Sequence, residues 1–316
     1  MGCAENAISE SFVSKMSTLK TINRTYIATC FFFLMLAAFS VYLSITMQIM
    51  LFLIGSLIVG LPHGAMDYDV AKFLKICIST REKIMFFTAY IFIAALNFLL
   101  WVFFPVAGLL FFIGLTIWHF GEDWNLQYDF HKGPRFFKKL CFGAAFICLP
   151  AVMHSEELIY IFTFITSGAH IDSLVYAMRF LAYPLIATIF GFAIFDVVHK
   201  NFEQSFLALA FVLSGLFLPP ILFLLLYFCF LHGPRHTLEL YEILKYRSFT
   251  AMLKSQTLVM ILTAFILVGV FLFYAQDLDV DQAIFSSLII VIACLTTPHM
   301  LLIEYMKAKL TFLQTI

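Results

Sequence analysis

Apolar runs of roughly helical-span length fill the chain and alternate with short polar breaks that hold most of its charge. A helix rises about 1.5 Å per residue, so about 20 apolar residues cross about 30 Å of hydrocarbon. On that measure the runs place ten spans, near 26–45, 47–67, 84–104, 106–125, 136–153, 174–198, 203–218, 219–241, 256–275 and 284–306. The apolar stretch 157–170 is too short to cross. It reads as a buried or re-entrant piece, allowed where protein rather than lipid covers its backbone. The predicted fold is all-α: a polytopic membrane helix bundle of about ten transmembrane helices. A polar segment, 1–25, precedes a single integral-membrane domain, 26–316.

The basic residues fix an expected orientation. Lys15/Lys20/Arg24, Lys72/Lys75/Arg81/Lys83, Lys132/Arg135/Lys138/Lys139, Lys245/Arg247/Lys254 and Lys307/Lys309 fall on alternate breaks, which ten spans put in the cytoplasm with both termini. The other breaks are poor in basic residues, and the Asp277/Asp279/Asp281 loop is acidic. If 157–170 spanned fully, the later basic clusters would flip outward. The expected location is the cell (inner) membrane.

Composition agrees, at 63% hydrophobic, 12% charged and 40 Phe. With 19 basic and 19 acidic residues there is no net field to recruit a polyanion, so nucleic acid is excluded as a partner and membrane lipid is the expected surrounding. Seven cysteines stand singly, without C-x-x-C spacing, and read as reduced packing residues. Met1-Gly2-Cys3 opens the chain, but Asn6 occupies the place where a myristoylation signal has Ser or Thr.

Chemistry enters with histidine. Of nine histidines, His63, His119, His232, His236 and His299 interrupt apolar helices, where an ionisable group is costly unless it pairs, lines a wet cavity or binds something. Each lies eight to thirteen residues before a basic cluster, which sets all five at one depth in the inner half of the membrane. His232 and His236, spaced i, i+4, share a helix face and could grip one metal ion; Pro234 between them removes the hydrogen bond to the carbonyl of Phe230, so a kink is expected. Carboxylates follow the same histidines: Asp67 and Asp69, Glu122 and Asp123, Glu239, and Glu304. A carboxylate that accepts the second ring N–H of a metal-bound imidazole fixes its tautomer, although any of these could equally be a solvated helix end. His131, His154, His170 and His199 fall in connections or in the uncertain segment and read as surface residues. Neutral imidazoles without Cys suit Fe, Zn, Cu or Ni. A metal buried among apolar helices, open to lipid-soluble molecules and O2, suits oxidation of an apolar substrate.

The motifs Pro62-His63-Gly64-Ala65-Met66-Asp67, Trp118-His119-Phe120-Gly121-Glu122-Asp123, His232-Gly233-Pro234-Arg235-His236 and Thr297-Pro298-His299 resemble those of the membrane β-carotene 15,15'-dioxygenases of bacteria and archaea, the Brp/Blh family. The resemblance runs in order and spacing from His63 to Glu304 and leaves the N-terminal segment and first span without a diagnostic motif. It implies a multi-pass enzyme that splits β-carotene centrally with O2 into two all-trans-retinal at a non-haem Fe(II); whether a microbial rhodopsin receives the retinal is not written in the sequence. Carried over by motif, the iron ligands are His63, His119, His232 and His236. His299 matches a further motif histidine, which the residues alone leave as either another metal ligand or a group that orients O2 or substrate, and Glu122, Asp67 and Glu239 would act beside the metal.

A metal or proton-coupled transporter using the same histidines is the competing function. It would need an access route on both sides, and the outer loops offer only three aspartates. A membrane desaturase or hydroxylase would present several His-rich boxes, and this chain has one H-x-x-x-H. Haem held by two histidines would show a Soret band.

Overall fold

The computed structural model describes residues 2–39, 43–124, 132–166 and 170–314, with 2–15, 132–134 and 312–314 described by backbone alone. Among the described residues all regular structure is helical. Nine helices among the described residues are long and apolar enough to cross a membrane: α1 (Met16–Ala38, the apolar part of a helix that begins at Gly2), α2 (Ile45–Phe73), α3 (Thr80–Phe103), α4 (Pro105–Trp124), α5 (Arg135–Met153), α7 (Ile171–Val198), α9 (Pro220–Ile243), α10 (Phe249–Tyr274) and α11 (Val280–Thr311). Two shorter apolar helices complete the set, α6 (Ser155–Ile165) and α8 (Phe202–Phe217). The chain is a polytopic membrane protein. Counting α8, ten helices match the ten expected spans, and the 157–170 stretch forms the short α6, ending at Ile165.

Local chemistry sets the boundaries. The Ser44 hydroxyl accepts from the Met47 N–H and starts α2, and Ser79 with Glu82 forms a capping box that starts α3. Pro105 and Pro220 each occupy the first turn of a helix, where their missing N–H costs nothing, and the preceding residues leave helical geometry. The first helix departs most from expectation. It continues through the polar residues before the apolar run, because hydropathy marks immersion while backbone bonding carries the helix beyond it, and it ends at Ala38 rather than 45.

The interior is built on close approach. A Cβ on Gly121 or Gly143 would overlap backbone of the neighbouring helix, at the Lys139 and Ile117 carbonyls respectively, so α4 and α5 pack at a distance only glycine permits. Between α2 and α9, a Cβ on Gly55 would lie 2.7 Å from Cys229 Sγ, and one on Gly233 2.5 Å from Val59 Cγ1. Each of these two helices widens into a π-helical turn at the crossing, Ser56–Gly60 in α2 and Phe228–His232 in α9. A proline follows each within two residues of its end, Pro62 and Pro234. Proline cannot donate the i→i−4 bond, and the wider turn absorbs the mismatch. The bend expected at Pro234 takes this form.

An aromatic core that includes Tyr26, Phe52, Phe120, Phe146, Phe211, Phe223 and Tyr227 fills the bundle on one side of the histidine layer. A second cluster, with Met66, Val70, Leu240, Met252, Ile303 and Met306, closes the end beyond it. The helices α9 and α11 are the most enclosed spans, whereas the apolar stretch of α10 has no buried residue and α3 few. The six described cysteines are buried and unpaired.

Candidate metal centre

All five helix histidines meet. His63 on α2 is the hub, with ring centroids 4.5 Å from His236, 5.0 Å from His232, 5.2 Å from His299 and 6.3 Å from His119. His119 on α4 stands 4.6 Å from His232 and 5.3 Å from His299, and His236 5.1 Å from His299. Two overlapping sets, His63/His236/His299 and His63/His119/His232, hold their donor nitrogens within 4.8 Å of one another, close enough to share one ion. Four helices, α2, α4, α9 and α11, supply the five rings. His154 lies 3.5 Å from Glu157, while His170 and His199 are exposed; none of the three joins the group. His131 lies outside the described residues.

The donor chemistry fits a metal. His63, His232, His236 and His299 are all buried, and His63 Nδ1 together with the Nε2 atoms of His232, His236 and His299 has no hydrogen-bond partner. Four orphaned imidazole nitrogens at one place would be a costly arrangement for folding alone. A cation that accepts their lone pairs removes the cost.

Two aspartates orient the rings. His232 Nδ1–H donates to Asp123 Oδ2 at 2.9 Å, and His299 Nδ1–H donates to Asp67 Oδ1 at 2.7 Å, which leaves each Nε2 bare toward the centre. A tyrosine in turn donates to each carboxylate: Tyr227 to Asp123 at 2.9 Å and Tyr90 to Asp67 at 2.8 Å. Trp124 Nε1–H donates to the Tyr227 hydroxyl, and Arg235 reaches the Asp123 carbonyl at 2.6 Å while its Nη2 donates to Asn23 Oδ1. The centre thus carries two Tyr–Asp–His arms. Asp67 stands four residues after His63 and Asp123 four after His119, yet each serves a histidine of another helix.

The other carboxylates lie around this group. Glu122 pairs with Lys139 and lies 3.8 Å from Lys307, and Glu304 accepts from Trp118 Nε1 at 3.4 Å. Asp69 binds Lys72 and accepts from Tyr246 and Ser255, tying the end of α2 to α10. Glu239 is half-buried on α9, one turn past His236. Sequence reasoning set Asp123 among the carboxylates without giving it a role, and it missed Tyr90, Tyr227 and Arg235. The usable signal was the repeated His-x-x-x-Asp spacing of residues 63–67 and 119–123.

Beside the histidines opens a cavity of about 440 Å³. His63, His119, His232 and His299 line it, with Asp67 and Tyr90, whereas His236 stands behind. Its remaining walls are mainly apolar and aromatic, from α2, α3, α4, α10 and α11, among them Phe86, Phe98, Phe112, Leu262 and Ile266. Since α3 and α10 face outward over most of their lengths, the cavity lies near the outer face of the bundle. Such a space accepts an apolar molecule with few polar handles.

Comparison with known proteins matches residues 54–307 to the family described as beta-carotene 15,15'-dioxygenase. A relative of that name from an uncultured marine bacterium, 66A03, is 26% identical over 254 residues, covering 78% of this chain and 90% of its own. No solved structure matches the chain. The matched region contains all five histidines, both orienting aspartates and the cavity walls. The chain belongs to the β-carotene 15,15'-dioxygenase family and is a dioxygenase.

Proposed function

We propose that this protein cleaves β-carotene at its central double bond with O2, giving two molecules of all-trans-retinal, at an Fe(II) held by His63, His119, His232 and His236. The observation that carries the reading is the cluster of five histidines, four with an orphaned ring nitrogen, beside an apolar cavity that four of the five line, in a chain of this family. Iron(II), when bound, supplies the one-electron chemistry that lets O2 react with a closed-shell polyene. The chain's residues do the rest. Asp123 holds the His232 ring in one tautomer, His236 closes the centre from behind, and the cavity walls seat the hydrocarbon and exclude water.

His299 has the same outfit as His232, a carboxylate on Nδ1 and a bare Nε2, and both rings line the cavity, but the carboxylate behind His299, Asp67, is itself part of the cavity wall while Asp123 is not. We assign it a place between centre and substrate, held there by Asp67. Glu122 and Glu239 act at longer range, Glu122 through the lysines it binds. A rigid polyene offers no polar handle, so the cleaved bond is set by where its end rings stop.

The inner membrane with cytoplasmic termini is the orientation we propose, since the basic segments 72–83 and 245–254 would then share the inner face. A cysteine placed at Lys75 should resist labelling from outside the cell; rapid labelling would reverse the orientation. Retinal is a prosthetic group of microbial rhodopsins, and such a protein in the same membrane is the proposed recipient. The function itself is tested by expressing the chain in cells that make β-carotene. Loss of colour with the appearance of retinal by chromatography is expected, and unchanged β-carotene would refute it.

A further inference from the structure

Two glycines one turn apart on α2, Gly60 and Gly64, line the cavity, and their surroundings differ. A Cβ on Gly60 would come within 3.0 Å of the Phe228 ring, a tight contact that would make the ring shift at the α2–α9 crossing. A Cβ on Gly64 would meet nothing within 4 Å. No glycine in the described chain has positive φ, so the backbone at 64 does not need one either. The position is helical, where glycine is a poorer choice than almost any other residue. Neither packing nor conformation accounts for Gly64.

The empty space does. Gly64 follows His63, a residue only 7% exposed whose Nδ1 has no partner. A side chain at 64 would project into the cavity beside that imidazole, where a substrate must pass to reach the centre. We propose that Gly64 is a clearance position, kept bare so that the polyene can lie against the histidine centre, and that it thereby sets which bond is presented. This rests on the carotenoid-cleaving role proposed above. Bulk at 64 should push the chain of the substrate away from the centre or along it, without touching a metal ligand.

The test compares Gly64→Ala and Gly64→Leu with Gly269→Leu, since Gly269 on α10 is equally open but does not line the cavity. β-Carotene binding to metal-stripped, detergent-solubilised protein is read by quenching of tryptophan emission. Products of the iron-loaded protein are read by chromatography, and iron per chain by elemental analysis. Gly64→Leu should bind β-carotene at least about ten-fold more weakly with iron content unchanged. Gly64→Ala should fall between, with unequal-length aldehydes rising at the expense of retinal, and Gly269→Leu should match the parent. Equal β-carotene binding by parent and Gly64→Leu would overturn the clearance role, whether or not either protein cleaves it. Binding by the parent without cleavage would overturn the reaction while the binding difference upheld clearance, and no binding by the parent would overturn both.

Discussion

The two Tyr–Asp–His arms join the same kinds of group in unlike settings. Tyr227 is fully buried among Phe120, Phe146, Phe211 and Phe223, and its arm is braced by Trp124 and by Arg235, itself 2% exposed and bound to Asn23. Tyr90, on the outward-facing α3, and Asp67 instead form part of the cavity wall. One arm is set in protein and the other borders the substrate's space. The contrast assigns holding the metal to the Asp123 side and meeting the substrate to the Asp67 side, although their hydrogen bonds differ by only 0.2 Å at the histidine.

Removing a ring from the sealed side should have the largest effect. His232→Ala or His236→Ala is expected to empty the centre, because the loss of one neutral donor of four weakens affinity and geometry together. Elemental analysis of purified protein should fall from one iron per chain to nearly none, and full occupancy in both variants would break the assignment.

The carboxylates come next and divide the arms directly. Asp123→Asn should lower metal affinity about 10–100-fold, measured by competition with a chelator. Asp67→Asn should keep more metal and lose proportionally more turnover. Equal losses of metal in the two variants would erase the distinction.

Smaller differences are expected at the tyrosines. Tyr227→Phe leaves the Trp124 N–H without its acceptor and takes one of two donors from the Asp123 carboxylate in a dry core, which should destabilise the protein by about 1–3 kcal/mol. Tyr90→Phe, at the cavity wall, should shift thermal unfolding less and substrate turnover more. The smallest effect belongs to Glu122→Gln, which weakens its pairing with Lys139 while leaving every imidazole in place. Iron should remain, and loss of iron in this variant would draw Glu122 into the centre.

The spans and the histidines were legible in the sequence because both follow one-dimensional rules. An apolar run must be long enough to cross, and a histidine within it must have a reason. Distance from the basic clusters even gave the common depth of His63, His119, His232, His236 and His299, which the structure brings together. Partner choice was not legible. Asp67 and Asp123 each reach a histidine more than a hundred residues away rather than the one on their own helix, a result of how α2, α4, α9 and α11 cross. That crossing depends on Gly55 and Gly233 and on two π-helical turns, features a hydropathy profile passes over. Tyr90 and Tyr227 were hidden for another reason: 18% of the chain is aromatic, so a tyrosine with a specific hydrogen bond looks like its neighbours until its hydroxyl is placed.

The most direct test strips the purified protein of metal, reloads it with Fe(II) and measures retinal formed per β-carotene consumed. The account predicts no conversion by the stripped protein and two retinal per β-carotene after reloading. Conversion that survives stripping, or products of unequal length from the reloaded protein, would contradict it.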